Sequence, residues 1–263
     1  MIIFTDLDGT LLDHASYSFE AARPALERIK ASGIPLIFAT SKTAAELAPL
    51  REATGIFRPA IVENGAGIDW PGDGGEDEDR QDYEHIREVI SALRIEGFSF
   101  RGFGDMPPRE IEDLTGLDTD AVGLARRRNY SEPGIFSGSE DERQAFERRL
   151  SGLGLTAVQG GRFLTISRGA SKASRIADLC GWWARETRSE GVLSLSLGDA
   201  ENDIAMLQTT DFGVIVANGA HPPLKHLDGE EQGRIIRTTR EGPEGWNEAV
   251  LDFIQRHHEG QLA

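Results

Sequence analysis

Two aspartates near the start of the chain, Asp6 and Asp8, have the residue type and spacing that metal or phosphate chemistry needs. They follow the apolar run 2–4 and precede Gly9, a pattern that predicts a short buried strand ending in a turn. If the strand stops near Asp6, both carboxylates can converge at its carboxyl end, where open parallel α/β sheets bind ligands. Because two close carboxylates resist joint ionisation unless a cation lies between them, we expect a hard divalent metal there. An acidic loop after an ordinary strand is the alternative, since Asp-x-Asp-Gly alone is a weak signal.

Three further polar groups follow predicted strands or lie at the start of a predicted helix. These groups are Thr40-Ser41-Lys42, Lys172, and Asp199 with Asp203. The carboxyl ends of parallel strands share one edge of a sheet, so residues distant in sequence can meet there. Each group also has an ordinary explanation as a strand-edge residue, a solvent-facing lysine or an acid in the first turn of a helix. We favour convergence at one sheet edge, because the alternative requires a separate ordinary explanation for every one of these groups.

The elements that must position these groups alternate between strand and helix. Strands are predicted at 34–40, 60–63, 192–197, 212–216 and 235–238 in addition to the first one, with helices at about 24–30, 43–54, 174–187 and 246–257. Thr43 with Glu46 forms a capping-box pattern at the start of the second helix, and Gly55 follows its end. This order predicts an α/β fold with a doubly wound, Rossmann-like parallel sheet.

The middle of the chain breaks this alternation. Residues 71–79 are rich in glycine and acids and are predicted to form an exposed hinge or loop. Between 83 and 166, short strand patterns surround several helices, which is typical of an α+β module. We therefore expect a core formed by 1–80 and 168–263, with residues 81–167 as an inserted α+β cap domain.

Charge and cysteine content limit the class of protein. The net charge of −16 argues against a nucleic-acid partner and against attraction to an anionic membrane surface. The single cysteine, Cys180, cannot form an intramolecular disulfide and is expected to be a buried, unreactive thiol. Neither a signal peptide nor an apolar run long enough to span a bilayer is recognisable, so the expected location is the cytoplasm.

The polar groups together resemble the four motifs of the haloacid dehalogenase superfamily of phosphotransferases. The residues that carry the resemblance are Asp6-Leu7-Asp8-Gly9-Thr10, Thr40, Lys172 and Gly198-Asp199-Ala200-Glu201-Asn202-Asp203. The insertion is placed like the C2-type cap of that superfamily. The resemblance implies a Mg²⁺-dependent phosphatase whose cap selects the substrate.

The resemblance also implies a role for each motif residue. Asp6 would attack phosphorus and form an aspartyl-phosphate that water hydrolyses, while Asp8 would act as general acid and then base. Thr40 and Lys172 would bind phosphoryl oxygens. The implied metal ligands are Asp6, the backbone carbonyl of Asp8, Asp199, and Asp203 directly or through water.

Further stretches resemble mannosyl-3-phosphoglycerate phosphatases, which release mannosylglycerate, a compatible solute. These stretches are 40–43, 62–67, 128–133, 160–163 and 242–246. Such a substrate carries a carboxylate and sugar hydroxyls, so the cap should supply an arginine and polar groups. The substrate-binding candidates are Ser41, Lys42, Arg128, Tyr130, Ser131 and Arg162. The run 126–128 has the alternative explanation of a solvated basic cluster.

Several alternatives to this function stay open. Asn129 stands where those phosphatases have an acid, so a glucosyl-3-phosphoglycerate or another sugar phosphate is an alternative substrate. A phosphosugar mutase would use the same chemistry, and a non-catalytic binding module would be expected to lose Asp6 or Asp8. A dinucleotide-dependent enzyme is disfavoured because no Gly-x-Gly-x-x-Gly turn follows the first strand. The oligomeric state is left open.

Overall fold

A computed structural model describes residues 1–72, 80–160, 162–169 and 171–262 of the chain. The strands among these residues are β1 (Ile2–Thr5), β2 (Leu36–Phe38), β3 (Ala60–Val62), β4 (Gly67–Asp69), β5 (Phe100–Gly102), β6 (Ser131–Phe136), β7 (Thr156–Gly160), β8 (Phe163–Ser167), β9 (Ser194–Gly198), β10 (Phe212–Ala217) and β11 (Ile235–Glu241). The α-helices are α1 (Arg23–Ala31), α2 (Ala44–Thr54), α3 (Arg80–Ile95), α4 (Pro108–Thr115), α5 (Thr119–Ala125), α6 (Glu140–Gly152), α7 (Lys172–Thr187), α8 (Ile204–Thr209) and α9 (Gly242–His258).

A five-stranded parallel sheet forms the centre of the molecule, in the order β11-β10-β9-β1-β2. Successive side chains of β1 point to opposite faces, so Ile3 packs with α1 and α9 whereas Ile2 and Phe4 pack with α7 and α8. Both faces of the sheet are therefore covered by helices, as a buried parallel sheet requires. The predicted α/β fold with a doubly wound sheet is confirmed.

The segment predicted as a third strand of this sheet pairs differently. β3 pairs antiparallel with β4, which the sequence did not reveal. It meets the edge of the central sheet through one parallel bridge between Ala39 and Ile61, and the residues after it donate backbone hydrogen bonds to the carbonyls of Thr40 and Lys42. The reason is a tight turn in which Glu63 and Asn64 have left-handed φ angles of 51° and 59° and Gly65 has 96°. This turn reverses the direction of the chain, so that β4 pairs antiparallel with β3.

Gly65 is required in that turn by a close backbone approach. A Cβ atom at this position would lie 2.1 Å from the carbonyl carbon of Ser171. Ser171 caps α7, so the turn after β3 is fitted against the start of the helix that begins with Lys172.

A second sheet, antiparallel and four-stranded, has the order β5-β6-β8-β7. Helices α3 and α6 cover one face, and α4 and α5 pack at the other. This arrangement agrees with the α+β module expected between the two halves of the core. Of the predicted acidic loop at 71–79, the structure describes only residues 71 and 72, and the remainder lies outside the described residues.

Cys180 lies on α7 and is half-buried against the core. Burial raises the pKa of its thiol to about 11, so the thiol stays protonated at neutral pH. None of the helices in the described ranges is both long and apolar enough to cross a membrane.

Candidate active site

Asp6 lies directly after β1, at the carboxyl edge of the central sheet, and is almost fully buried. Lys172, the first residue of α7, donates from Nζ to Asp6 Oδ1 at 2.5 Å and to Asp203 Oδ1 at 2.7 Å. Thus one ammonium group joins two residues that are far apart in the sequence. The structure brings Asp6, Lys172 and Asp203 together as the sequence predicted.

Asp199 follows β9 at the same edge and is held by three donors. Thr10 Oγ1 donates to Asp199 Oδ1 at 2.6 Å, and Asn218 Nδ2 donates to Oδ2 at 2.8 Å. His221 Nε2 also lies 2.8 Å from Oδ2. The bond to Asp199 raises the pKa of His221, which favours its donating form.

Asp203 ends a single 3₁₀ turn after β9. Its Oδ2 accepts hydrogen bonds from the backbone N–H groups of Asp199 and Ala200, each at 3.2 Å. Gly198 permits this packing, because a Cβ atom there would lie 2.5 Å from the Cβ of Asp203. The acid that the sequence suggested for a helix start therefore also fixes the loop that carries Asp199.

We call Asp6, Asp199, Asp203 and Lys172 the acidic cluster. One carboxylate oxygen from each of the three acids lies within 4.8 Å of those of the other two, and all three acids are buried. Three carboxylates against one ammonium leave a formal charge of −2, with an all-oxygen donor set. Such a donor set and charge fit a hard divalent cation.

Protonation in the acidic cluster follows from burial and from the charges that are present. Burial raises the pKa of Asp6, and the ammonium of Lys172 only partly opposes this rise. Burial lowers the pKa of Lys172, but the carboxylates of Asp203 and Asp6 more than reverse this and raise it. Lys172 therefore stays charged and neutralises part of the cluster.

Asp8 lies outside the acidic cluster and pairs with Lys42, whose Nζ is 2.8 Å from Asp8 Oδ2. The other carboxylate oxygen, Oδ1, is buried and accepts no hydrogen bond from any described residue. An acceptor left in this state is unusual, because buried polar atoms normally find partners. The sequence predicted Lys42 as a substrate ligand, and in the structure it holds Asp8.

Thr40 is buried just after β2, and its hydroxyl accepts a hydrogen bond from the N–H of Lys42 at 3.1 Å. The turn is fixed by the capping box of α2, in which Thr43 and Glu46 bond reciprocally. Ser41, between Thr40 and Lys42, is exposed. The predicted position of the Thr40-Ser41-Lys42 turn at the sheet edge is confirmed.

Glu63 joins the core to the second sheet and was not among the predicted site residues. Its carboxylate accepts hydrogen bonds from the N–H of Asn129 at 2.9 Å and from Ser131 Oγ at 2.7 Å. Arg128 Nε lies 3.3 Å from Glu63 Oε2 and donates to Ser131 Oγ at 3.2 Å. We call Glu63, Arg128 and Ser131 the cap junction.

Arg128 is buried in the cap junction, so the alternative of a solvated basic cluster is wrong for this residue. Its two terminal nitrogens make long contacts, each 3.5 Å, to the backbone carbonyls of Ala125 and Ser41. Nη2 also donates to Ser131 Oγ at 3.0 Å. Contacts of 3.5 Å are weak, so the guanidinium edge near Ser41 retains hydrogen-bonding capacity.

Tyr130 and Arg162 were also predicted to bind substrate, and their positions differ. The ring of Tyr130 packs against Gly67, where a Cβ atom would lie 2.2 Å from a ring carbon. Arg162 is exposed in the turn between β7 and β8, with its guanidinium 6.0 Å from the centre of the Phe163 ring. Among the described contacts, none joins Arg162 to the acidic cluster.

Sequence reasoning missed Thr10, Asn218 and His221 as groups that orient Asp199. The last two follow β10, so the rule that parallel strands share a carboxyl edge would have found them. The glycine at position 9 makes this contact possible, because a Cβ atom there would lie 2.2 Å from Asn218 Nδ2. Glu63 carried only a weak signal, as an acid at a strand end before Asn-Gly.

The sequence matches the haloacid dehalogenase-like hydrolase family over residues 3–106 and 136–229. It is also similar over nearly its whole length to two proteins that are each named glucosyl-3-phosphoglycerate/mannosyl-3-phosphoglycerate phosphatase. The protein from Persephonella marina is 36% identical over 273 residues, which cover 99% of both chains. The protein from Methanococcoides burtonii is 34% identical over 282 residues, which cover 98% of both chains.

Solved structures share the fold at lower sequence identity. A protein from Thermotoga maritima aligns with a TM-score of 0.63 and 15% identity, covering 95% of this chain and 96% of that one. The sucrose-phosphatase from Synechocystis, solved with sucrose and phosphate, aligns with a TM-score of 0.58 and 15% identity, covering 97% and 98%. At these identities the likeness concerns the fold alone.

Proposed function

Since the chain belongs to the haloacid dehalogenase-like hydrolase family, we propose that this phosphatase is Mg²⁺-dependent and hydrolyses mannosyl-3-phosphoglycerate or glucosyl-3-phosphoglycerate. The products would be inorganic phosphate and the glycosylglycerate. The observation that carries the chemistry is the buried Asp6 at the sheet edge, bonded to Lys172 and close to two further acids. The substrate class is supported by the two full-length relatives, whose names contain both substrates.

In the first step, a carboxylate oxygen of Asp6 attacks phosphorus and the ester bond between phosphorus and oxygen breaks. Asp8 gives a proton to the leaving oxygen of the glycosylglycerate. The Oδ1 atom of Asp8 has no hydrogen-bond partner among the described residues, so protonation of Asp8 at this oxygen breaks no existing bond, which supports the role. Lys42 holds the other oxygen and so orients the acid.

In the second step, Asp8 takes a proton from water, and the water oxygen attacks the phosphorus of the aspartyl-phosphate. The bond between phosphorus and Asp6 breaks, which releases phosphate and restores the carboxylate. Thr40 and Lys172 bind the phosphoryl oxygens and offset their charge in both steps. These roles are expected from the resemblance of the motifs, and the edge location of the residues is consistent with them.

The metal would be held by Asp6, Asp199, Asp203 and the backbone carbonyl of Asp8. The oxygen donors and the formal charge of −2 fit Mg²⁺. When bound, Mg²⁺ would shield the phosphoryl group from the carboxylates that surround it. Thr10, Asn218 and His221 would keep Asp199 oriented for this role, as outer ligands do at other metal sites.

We also propose that residues 81–167 form the cap that selects the leaving group, on a core of 1–80 and 168–263. The guanidinium edge of Arg128 that faces Ser41 would bind the glycerate carboxylate, with Tyr130 and Ser131 beside it. Because Glu63 already balances its charge, Arg128 would bind as an oriented hydrogen-bond donor. Arg162 would approach the substrate only as an exposed charge.

The test is release of inorganic phosphate by purified enzyme from a matched set of esters. The set contains both glycosyl-3-phosphoglycerates, 3-phosphoglycerate, sucrose phosphate and glucose 6-phosphate, each with Mg²⁺ and with a chelator. We expect the highest kcat/KM on a glycosyl-3-phosphoglycerate and loss of turnover with the chelator. Comparable rates on the simple sugar phosphates, with none on the glycosyl-3-phosphoglycerates, would refute the substrate assignment.

A further inference from the structure

Tyr17 lies in the loop between β1 and α1 and has an unusual backbone and surface. Its φ angle is 56°, in the left-handed region, and 54% of its surface is exposed. A bulky aromatic residue at positive φ is a genuine outlier that the surrounding structure must enforce. An exposed aromatic ring held in such a conformation is a candidate for a contact with a ligand.

Hydrogen bonds centred on Asp13 enforce this conformation. The N–H of Tyr17 donates to the carbonyl of Asp13 at 2.9 Å, and the N–H of Asp13 donates to the carbonyl of Ser18 at 2.9 Å. The Asp13 carboxylate accepts from the N–H of Ser16 at 2.8 Å and from its hydroxyl at 2.6 Å. These hydrogen bonds tie the backbone of residues 13–18 together and so fix the loop that carries the ring of Tyr17.

The ring of Tyr17 stands next to the proposed acid. Lys42 Nζ lies 5.3 Å from the ring centre, within the range of a cation–π contact, and the same nitrogen bonds to Asp8 Oδ2. One lysine thus separates the ring from the carboxyl group that would protonate the leaving oxygen.

We infer that Tyr17 is a specificity-determining residue whose ring packs against the sugar ring of the leaving group. This inference rests on the proposed function, because it requires a glycosyl leaving group. A pyranose presents C–H groups on its faces, and an exposed aromatic ring offers them an apolar surface with only two torsions to fix. The contact with Lys42 holds the ring in place beside the leaving oxygen.

A competing explanation is that Tyr17 only shields the pair of Asp8 and Lys42 from water. Shielding would affect every phosphate ester to a similar extent, because every leaving oxygen needs the same proton. Contact with the sugar would affect only esters that carry one. The pair of glycosyl-3-phosphoglycerate and 3-phosphoglycerate separates the explanations, since the two esters differ by the sugar alone.

The experiment compares Tyr17→Asn and Tyr17→Phe with the wild-type enzyme on these two esters. Asparagine tolerates the left-handed region, so the backbone of the loop is kept while the ring is removed. We expect Tyr17→Asn to lower the ratio of kcat/KM values, glycosyl ester over 3-phosphoglycerate, about tenfold, mainly through KM. Tyr17→Phe keeps the ring and should restore the ratio to within about twofold.

Phe57 provides a matched control, because it is 55% exposed but lies before β3, at the end opposite the acidic cluster. Phe57→Asn should leave the ratio unchanged. Equal losses on both esters in Tyr17→Asn, or no loss on either, would overturn the inference while the proposed function stands. A wild-type enzyme that hydrolyses neither glycosyl-3-phosphoglycerate would overturn the proposed function and this inference with it.

Discussion

The acidic cluster and the cap junction both bury charge between distant parts of the chain, but they balance it differently. In the acidic cluster three carboxylates face one ammonium group. In the cap junction a single carboxylate, that of Glu63, meets one guanidinium together with N–H and hydroxyl donors. The unbalanced region needs a cation or substrate to offset its charge, whereas the charge in the balanced region is already offset. We therefore assign the chemistry to the first region, and the orientation of the cap and of the substrate-facing edge of Arg128 to the second.

The largest effect is expected from Asp6→Asn, which removes the proposed nucleophile from the acidic cluster. We expect kcat to fall by about 10⁴-fold or more, because groups that act as a unit lose most of their effect when one is removed. The measurement is phosphate release from the best substrate of the ester set. Asp252→Asn, the same change at an exposed acid on α9, serves as the control and should have wild-type activity. Near-normal turnover by Asp6→Asn, with an unchanged melting curve, would contradict the mechanism.

The cap junction is expected to show its effect in stability. Glu63→Gln or Arg128→Met leaves the other member of a buried pair without its partner, which costs about 3 kcal/mol of unfolding free energy. The double variant should cost less than the sum, with a coupling free energy of about 0.5–3 kcal/mol. Urea unfolding of the four proteins measures this cycle. Strict additivity would mean that the two side chains do not depend on each other.

Mg²⁺ should stabilise the protein through the acidic cluster and not through the cap junction. A cation at 100 times its dissociation constant adds about 2.7 kcal/mol to the unfolding free energy. We expect Mg²⁺ to raise the melting temperature of wild type and of Glu63→Gln, and to have little effect on Asp199→Asn. Thermal unfolding with Mg²⁺ and with a chelator measures the difference. An equal shift in Asp199→Asn and wild type would place the cation elsewhere.

The comparison also explains which region the sequence could predict. Asp6, Thr40 and Asp199 each follow an apolar run that is recognisable by itself, and parallel strands bring such ends to one edge. The only long-range knowledge needed was the sheet type, which the alternation of strands and helices supplied. Most of the acidic cluster was therefore predictable.

The cap junction was not predictable by the same reasoning. The pair Asn64-Gly65 is a local signal for a turn, but no local pattern indicates that Glu63 before it is left-handed too. Its partners Arg128 and Ser131 belong to another sheet, so neither the spacing nor the periodicity of the sequence links them to it. The strand β4 after this turn was missed because it is only three residues long, Gly67–Asp69, and begins with glycine.

The start of β6 at Ser131 is also difficult to predict, because Pro133 lies inside the strand and proline argues against a central strand. The structure pairs Pro133 with Thr165 of β8, whereas the pairing of β6 with β5 begins only at Gly134. Residues 131–133 are thus an edge on the β5 side, where a proline removes no ladder hydrogen bond. Pro133 therefore obeys the rule that keeps proline out of central strands. The sequence could not show this, because the point at which β5 begins to pair with β6 is set by the tertiary structure.

The smallest effect is expected from Arg162→Ala, which tests an exposed arginine among the predicted substrate ligands against the buried Arg128. An exposed charge is screened by salt and contributes little, so KM for the glycosyl ester should rise only about threefold at low ionic strength. The rise should disappear at high salt, whereas the defect of Arg128→Met should persist because its charge is buried. Kinetics at two salt concentrations measure this, with Arg149→Ala on α6 as an exposed control. A loss in Arg162→Ala that equals the loss in Arg128→Met and resists salt would mean that the turn between β7 and β8 closes over the substrate.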